Sequence, residues 1–212
     1  MICDIAVRHD LYVIGDEVYR EFVYGGEELA TIGRVKGAEQ NAVIIDSVSK
    51  RFSACGARIG ALITRNKPLQ QQIMKFCQAR LSTTTLDQLA AAALYTVDKS
   101  YFEAVRKEYK LRRDTCFSKL KEIEGVVCTE PQGAFYMMAA LPVDDAEKFN
   151  QWLLEEFSDN GETVMFAPGK SFYATPGKGL NEVRIAYVLK QADLERALDL
   201  LKLGIERYNE TH

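Results

Sequence analysis

The sequence lacks most of the features that mark membrane, secreted and metal-binding proteins. No apolar run approaches the roughly 20 residues that a bilayer-spanning helix needs, and the first residues have neither the basic stretch nor the apolar core of a signal peptide. The two histidines are far apart and the five cysteines show no paired spacing, which predicts reduced thiols and no metal site. We therefore expect a cytoplasmic protein with no membrane partner.

Charge of one sign is not in excess either. The 212 residues carry 27 lysines and arginines against 30 aspartates and glutamates, which gives a net charge of −3. Because the chain has no basic excess to attract phosphates, we expect no nucleic-acid partner. Its length and its 47 % of hydrophobic residues suit one or two globular domains.

What is present is a short segment that combines phosphate-binding and nucleophilic groups. The apolar run 42–45 leads directly into Ser47, Ser49 and Lys50, and a glycine-flanked arginine, Arg58, follows. Two hydroxyls and a guanidinium on one loop can hold a phosphate while a lysine amine does covalent chemistry. For an isolated lysine after a strand, a solvated loop residue is the ordinary alternative.

A second segment places an acid at the end of another strand. The predicted strand Tyr12–Gly15 ends on Asp16, and Tyr19 follows three residues later. Because ligands in open α/β sheets bind beyond the carboxyl ends of the strands, we expect Asp16 and Lys50 to face one crevice. The alternative for Asp16 is a cap of the turn that follows the strand.

A third candidate lies far along the chain, in the predicted strand Val183–Val188. Arg184 occupies its second position, shortly before the last predicted helix. A planar guanidinium can receive a carboxylate through two hydrogen bonds. An outward-facing strand arginine is the ordinary alternative.

Taken along its whole length, the run SVSKRFSACGARIG at 47–60 resembles the lysine signature of class I and II aminotransferases, which belong to the fold-type I pyridoxal-phosphate (PLP) family. The run DEVY at 16–19 resembles the Asp-x-x-Tyr element of that family, and the strand around Arg184 resembles its carboxylate-binding strand. In length and order these elements correspond to the C-terminal half of a family member.

The resemblance implies a role for each of these residues. Lys50 forms the Schiff base with PLP and acts as the general acid–base, Asp16 pairs with the pyridine nitrogen, and Tyr19 bonds the phenolic oxygen. Arg184 binds the α-carboxylate of the substrate. The residues that are implied to hold the phosphate are Ser47, Ser49 and Arg58.

The implied activity is transamination between an amino acid, aspartate or one similar to it, and 2-oxoglutarate, in a homodimer. Two alternatives share the same residues or the same fold. One is a C–S lyase or another β-eliminating enzyme, and the other is a non-catalytic PLP-fold domain that senses a ligand or dimerises. For the 212 residues alone we expect weak or no PLP binding, negligible turnover and self-association.

The predicted fold is α/β and has two parts. Residues 1–100 resemble the remnant of a doubly wound, PLP-binding large domain, and residues 101–212 resemble a complete α+β small domain that begins with a bridging helix. Besides the strands at 12–15 and 183–188, the predicted strands are Val43–Asp46, Gly60–Thr64, Val126–Thr129, Ala134–Met138 and Thr163–Phe166. The predicted helices are Leu86–Val97, Tyr101–Ile123, Asp144–Asp159 and Ala192–Tyr208.

Overall fold

The computed structural model describes residues 1–26 and 29–211 and has a mixed α/β fold. The chain divides into two compact units, unit 1 from Met1 to Phe102 and unit 2 from Glu103 to His212. Each unit has its own β-sheet. Within the described residues, none of the helices combines the length and the apolar character needed to cross a membrane.

Unit 1 is built around a three-stranded sheet of order β1-β2-β3, in which β1 is parallel to β2 and β3 is antiparallel to it. The strands lie within one or two residues of the predicted ones, so these predictions are confirmed. The elements of this unit are α1 (Ile2–Arg8), β1 (Val13–Asp16), β2 (Ala42–Ser47), α2 (Val48–Arg51), β3 (Gly60–Thr64), α3 (Lys67–Arg80) and α4 (Thr85–Leu94).

The sequence pattern predicted neither the presence of helix α3 nor the exposure of the leucines of helix α4. Helix α3 was not predicted by apolar periodicity, and none of its 14 residues is buried. Its start is set locally, because the side chain of Asn66 accepts the Leu69 N–H at 2.9 Å. Helix α4 was predicted, yet its leucines Leu86 and Leu89 are exposed and Ala91 is the residue that it buries in unit 1.

Unit 2 has a four-stranded antiparallel sheet of order β4-β5-β7-β6 with helices packed against it. The long helix α5, which starts in unit 1, and the last helix α7 confirm their predictions. The elements are α5 (Lys99–Lys121), β4 (Val127–Cys128), β5 (Tyr136–Ala140), α6 (Ala146–Glu155), β6 (Ala167–Pro168), β7 (Glu182–Ala186) and α7 (Gln191–Thr211).

The predicted strand Thr163–Phe166 is wrong, because residues 163–166 form no strand and the two-residue strand β6 begins only after them, at Ala167. Helix α6 explains the difference. The hydroxyl of Thr163 donates to the carbonyl of Leu153, and the N–H of Phe166 donates to the side chain of Asn150 at 3.2 Å. Polar groups of this segment are therefore satisfied by the helix, and apolar alternation alone does not reveal such contacts.

The core of unit 2 is closely packed. The side chains of Phe149, Leu153 and Val183 are fully buried. The rings of Phe149 and Tyr208 lie 5.0 Å apart, and the packing leaves no room at Gly204, where an added Cβ would come within 2.7 Å of Leu153. A glycine at this position of α7 lets the helix approach α6 closely.

Candidate functional site

The two parallel strands of unit 1 bring their carboxyl ends to one edge of the sheet. Asp16, the last residue of β1, is level with Ile45 of β2, and Ser47 lies two residues beyond Ile45. Neighbouring strands are separated by about 4.8 Å. The loops that carry the predicted site residues Asp16 and Ser47 to Lys50 therefore leave the sheet side by side, as the sequence predicts.

Asp16 is exposed at this edge, whereas the next residue, Glu17, is turned inward. Asp16 Oδ1 accepts the N–H of Val18 at 3.2 Å, which is the turn contact that the capping alternative predicts. Glu17 Oε1 accepts the Thr31 hydroxyl at 2.6 Å and the Ile32 N–H at 3.1 Å. Burial of Glu17 thus fixes the turn and leaves Asp16 as the carboxylate that faces outward.

Tyr19 follows in the same turn and is half-buried. Its ring meets that of the buried Phe22 edge-on, with the centroids 6.4 Å apart. This contact anchors the ring of Tyr19 in unit 1, on the turn that begins at Asp16.

Ser47 joins β2 to the short helix α2. Its Oγ accepts the Ser49 N–H at 3.1 Å as an N-cap and donates to the Ile59 carbonyl at 2.9 Å. The hydroxyl oxygens of Ser47 and Ser49 are 2.9 Å apart. Lys50 comes next in the helix and is half-buried. The two hydroxyls therefore form one polar group beside the lysine.

Arg58 lies on the loop that follows α2, and this loop leads back to the region of Ser47. Its backbone is left-handed, with φ of 53° and ψ of 40°, and its Nη1 donates to the Cys55 carbonyl at 2.9 Å. Gly60 pairs with Ser47, and a Cβ there would lie 3.2 Å from the carbonyl of Asp46, so glycine allows the close start of β3. Ser47 and Arg58 line a common cavity of about 780 Å³.

Arg184 lies in unit 2, on β7, level with Met138 of β5. Its guanidinium carbon is 4.6 Å from the ring centre of Tyr136 and 5.0 Å from that of Phe172, which are cation–π distances. In the part of the chain that the structure describes, no carboxylate forms an ion pair with Arg184. The structure thus presents a half-buried guanidinium held between two rings, with its hydrogen-bonding fork available for a carboxylate.

A buried ion-pair cluster beside Lys50 was not found by sequence reasoning. Arg51 Nη2 lies 2.8 Å from Asp46 Oδ2, and Arg51 Nε lies 3.5 Å from Glu21 Oε1. Arg20 Nη1 is 3.7 Å from the same Asp46 oxygen. Charged side chains are rarely buried, so polarity alone predicts a surface position for Arg51. The one available signal was its place within the signature, directly after the lysine.

Six of the seven predicted site residues therefore belong to unit 1, and one, Arg184, belongs to unit 2. Histidine, cysteine and acidic side chains form no group of three that could hold a metal ion within residues 1–26 and 29–211.

Comparison with known proteins gives one consistent family. A family model described as aminotransferase class I and II matches residues 1–201. An aspartate aminotransferase of Bacillus subtilis (strain 168) is 28 % identical over 214 aligned residues, which cover 97 % of this chain and 52 % of the relative. An aromatic-amino-acid aminotransferase 2 of Thermococcus litoralis is 29 % identical, and the match covers 95 % of this chain and 50 % of the relative.

Solved structures agree with the sequence comparison. An aromatic aminotransferase from Pyrococcus horikoshii OT3 is similar with a TM-score of 0.83 and 29 % identity, over 98 % of this chain and 54 % of the other. The chain thus spans about half the length of the curated relatives it matches.

Proposed function

This chain belongs to the class I and II aminotransferases, and we propose that it carries the cofactor-binding and proton-transfer residues of a PLP-dependent transaminase. The proposed substrates are an L-amino acid, aspartate or one similar to it, and 2-oxoglutarate as the acceptor. Because the chain spans about half the length of its relatives, the activity and the homodimer proposed are those of the whole protein.

Membership of this family also leads to a proposal for the two parts of the chain. Residues 1–100 form the C-terminal part of the cofactor-binding large domain, and residues 101–212 form the small domain with its bridging helix. The observation that supports the function most directly is the parallel register of β1 and β2, which brings Asp16 and the Ser47–Lys50 turn to one sheet edge.

The donor set at this edge fits PLP. An exposed carboxylate, two adjacent hydroxyls, a guanidinium and a lysine amine match its ring nitrogen, its phosphate and its aldehyde. When bound, PLP supplies an electron sink for the carbon that loses its proton. In the proposed site Ser49 and Arg58 donate to the phosphate, Ser47 joins them by turning its hydroxyl proton from the Ile59 carbonyl to the phosphate, and Asp16 keeps the ring nitrogen protonated.

Lys50 has two roles in this proposal. Its amine attaches the cofactor covalently and, once released by the substrate amine, removes the Cα proton as a general base and returns it as a general acid. Tyr19 donates a hydrogen bond to the phenolic oxygen of the cofactor. Arg184 receives the α-carboxylate through its two-pronged fork, for which Tyr136 and Phe172 hold the guanidinium in place.

Chemical trapping tests the role of Lys50. Borohydride reduction of the PLP-loaded protein, followed by peptide mapping, should place the pyridoxyl group on Lys50. The Lys50→Ala variant should lose the label, while Lys75→Ala, which removes an exposed lysine of α3, should keep it. A label on another lysine of the unmodified protein would overturn the assignment.

Product analysis separates transamination from the lyase alternative. With aspartate and 2-oxoglutarate, a transaminase forms glutamate and needs the acceptor, whereas a β-eliminating enzyme releases its product without one. For the 212 residues alone we expect negligible turnover, since unit 1 holds Lys50 on a small core and exposes large apolar side chains such as Phe76 and Leu86.

A further inference from the structure

The helix that carries Lys50 is too short to be stable without contacts to the rest of the protein. Helix α2 has only four residues, Val48–Arg51. Forming the first turn of a helix fixes several backbone dihedrals for one hydrogen bond, so isolated helices of this length are not stable. The orientation of Lys50 must therefore be set by contacts that α2 makes with the rest of unit 1.

The buried face of α2 points away from Lys50. Val48, Arg51 and Phe52 are buried, whereas Lys50 is half-buried. Successive helical residues are about 100° apart, which puts Arg51 and Phe52 within about 60° of Val48 and puts Lys50 about 160° from it. Any rotation of this turn about its axis would consequently redirect the amine of Lys50.

Apolar packing holds α2 down without fixing its rotation. Val48 and Phe52 form a small core with Ala91 of α4. The ring of Phe52 also meets that of Tyr95, with the centroids 5.2 Å apart. Contacts of this kind are non-directional, so they do not by themselves fix the rotation of the turn.

Hydrogen bonds fix the start of α2, where Ser47 Oγ accepts the Ser49 N–H and the Val48 N–H donates to the Ile59 carbonyl. Arg51 supplies a directional side-chain contact at its other end. Its Nη2 donates to Asp46 Oδ2 at 2.8 Å, while Asp46 Oδ1 accepts the Ser47 N–H at 2.8 Å. One buried carboxylate thus connects the end of β2 with the last residue of α2. Glu21 and Arg20 also lie near this pair, with Glu21 Oε1 3.5 Å from Arg51 Nε and Arg20 Nη1 3.7 Å from Asp46 Oδ2. Removing one partner of a buried ion pair leaves the other charge uncompensated, so the arrangement of each residue depends on the other.

We propose that Arg51, bonded to Asp46, is a positioning residue that sets the rotation of α2 and so the direction of the Lys50 amine. The proposal rests on the proposed role of Lys50 as the lysine that attaches the cofactor. Pairing with Asp46 also directs the Arg51 cation into the interior. Lys50 and Arg51 are neighbours in the chain, but their charged groups therefore lie on different sides of the turn.

The test measures the amine of Lys50 without any cofactor. The chain is labelled with a trace of acetic anhydride, and mass spectrometry gives the labelling rate of Lys50 relative to that of the exposed Lys75 in the same sample. Arg51→Met keeps the volume of the side chain and removes the fork. This ratio should change by about threefold or more, because the turn then samples several orientations.

Three further variants keep the test decisive if Arg51→Met folds poorly. Asp46→Asn keeps an acceptor for the Ser47 N–H and removes the charge, and it should change the ratio in the same direction. The double variant should change it no more than either single variant, since the two residues act as one unit. Arg51→Lys should restore part of the original ratio.

Arg113→Met is the matched control, because Arg113 of unit 2 is also buried and forms an ion pair with Glu130 at 2.8 Å. It should lower the melting temperature without changing the ratio at Lys50. A ratio that stays constant in both Arg51→Met and Asp46→Asn, or that changes as much in Arg113→Met, would overturn the proposal.

The same variants separate this proposal from the proposed function. If the loaded protein attaches PLP at Lys50, the Arg51 variants should attach it several-fold more slowly. If no protein attaches PLP at Lys50, the function is wrong, while the labelling ratio still decides whether Arg51 positions the lysine.

Discussion

The two units of this chain differ in how completely they cover their own apolar side chains. In unit 2, Phe149 and Leu153 are 0 % exposed, and the rings of Phe149, Trp152 and Tyr208 pack together with centroids 5.0 to 6.3 Å apart. In unit 1, Phe76 is 76 % exposed and Leu86 is 80 % exposed. The hydrophobic effect therefore stabilises unit 2 far more than unit 1.

The cause lies in the layers of each unit. The antiparallel sheet of unit 2 is covered by helices whose apolar faces it buries, whereas four of the five residues of β3 in unit 1 are exposed. The comparison shows that Lys50, which does the proposed chemistry, lies in the less consolidated unit. Local contacts such as the Ser47 cap and the Arg51–Asp46 pair therefore contribute a larger share of the stability of unit 1 than they would in a unit with a larger core.

The sharpest division between the units concerns function, and Arg184→Ala tests it. Removing a guanidinium that binds a charged partner costs about 2 to 5 kcal/mol. We expect the activation free energy that corresponds to kcat/KM for aspartate to rise by that amount in the active protein, while PLP stays attached to Lys50. Steady-state kinetics and the absorbance of the bound cofactor measure the two effects separately.

The control for this prediction is Arg196→Ala. Arg196 is a surface arginine of unit 2 that bonds Asp159 and Glu162, each at 2.8 Å. Its loss should leave KM unchanged. Unchanged kinetics in Arg184→Ala would instead show that Arg184 is an ordinary strand arginine held by its aromatic neighbours.

The difference in packing can be tested with one substitution made in both units. Leu153→Ala opens a cavity in the core of unit 2 and should lower the free energy of unfolding by about 2 to 5 kcal/mol. Leu86→Ala removes an exposed side chain of unit 1 and should change it by no more than about 0.5 kcal/mol. Urea denaturation followed by circular dichroism compares the two, and equal effects would contradict the comparison.

The sequence predicts what depends on local pattern and misses what depends on distant contacts. The strands of unit 1 and the helices α5 and α7 follow from apolar runs and periodicity. The sheet edge that gathers Asp16 and Lys50 follows from the general rule for strand ends. By contrast, burial of Arg51 depends on Asp46 and Glu21, which no periodicity connects to it.

The exposure of α4 in unit 1 has the same origin. Its apolar stripe is visible in the sequence, but the surface that a helix faces is decided by tertiary packing. The helix buries Ala91 in unit 1 and leaves Leu86 outside. The strand predicted at 163–166 failed for a related reason, because side chains of α6 bond the segment.

Helix caps give a smaller test of the same comparison. Asp145 caps α6 in unit 2, where Oδ1 accepts the N–H groups of Glu147 at 2.9 Å and Lys148 at 3.3 Å. Thr84 precedes α4 in unit 1, and its hydroxyl bonds the side chain of Asp87 instead of a backbone N–H. Asp145→Ala should therefore destabilise its unit by about 1 kcal/mol, and Thr84→Ala by clearly less.

Fluorescence of the single tryptophan, Trp152, reports on α6 and so measures the Asp145 variant directly. Circular dichroism measures the Thr84 variant. An effect of Thr84→Ala as large as that of Asp145→Ala would show that α4 is capped in solution in a way that its side-chain contacts do not explain.

The smallest expected effect concerns a polar contact at the rim of the unit 2 core. Tyr208 donates a hydrogen bond to Asp144 Oδ1 at 2.9 Å. Burial and this bond to Asp144 raise the pKa of Tyr208 to about 12. The bond from Tyr208, together with one from Lys148, lowers the pKa of Asp144. At neutral pH, Tyr208→Phe should cost roughly 0.5 kcal/mol, the low end for a hydrogen bond, because the carboxylate is exposed.

The pH dependence of that cost identifies its origin. Above about pH 10 the unfolded chain releases the Tyr208 proton before the folded chain does, so the original protein loses stability that Tyr208→Phe cannot lose. Below about pH 4 Asp144 becomes protonated, first in the unfolded chain, and the advantage of the bond declines there too. The stability difference between the two proteins should thus be largest between these limits. Urea denaturation followed by Trp152 fluorescence at pH 3, 7 and 11 measures it. A difference that stays constant across this range would show that Tyr208 stabilises unit 2 through its ring alone.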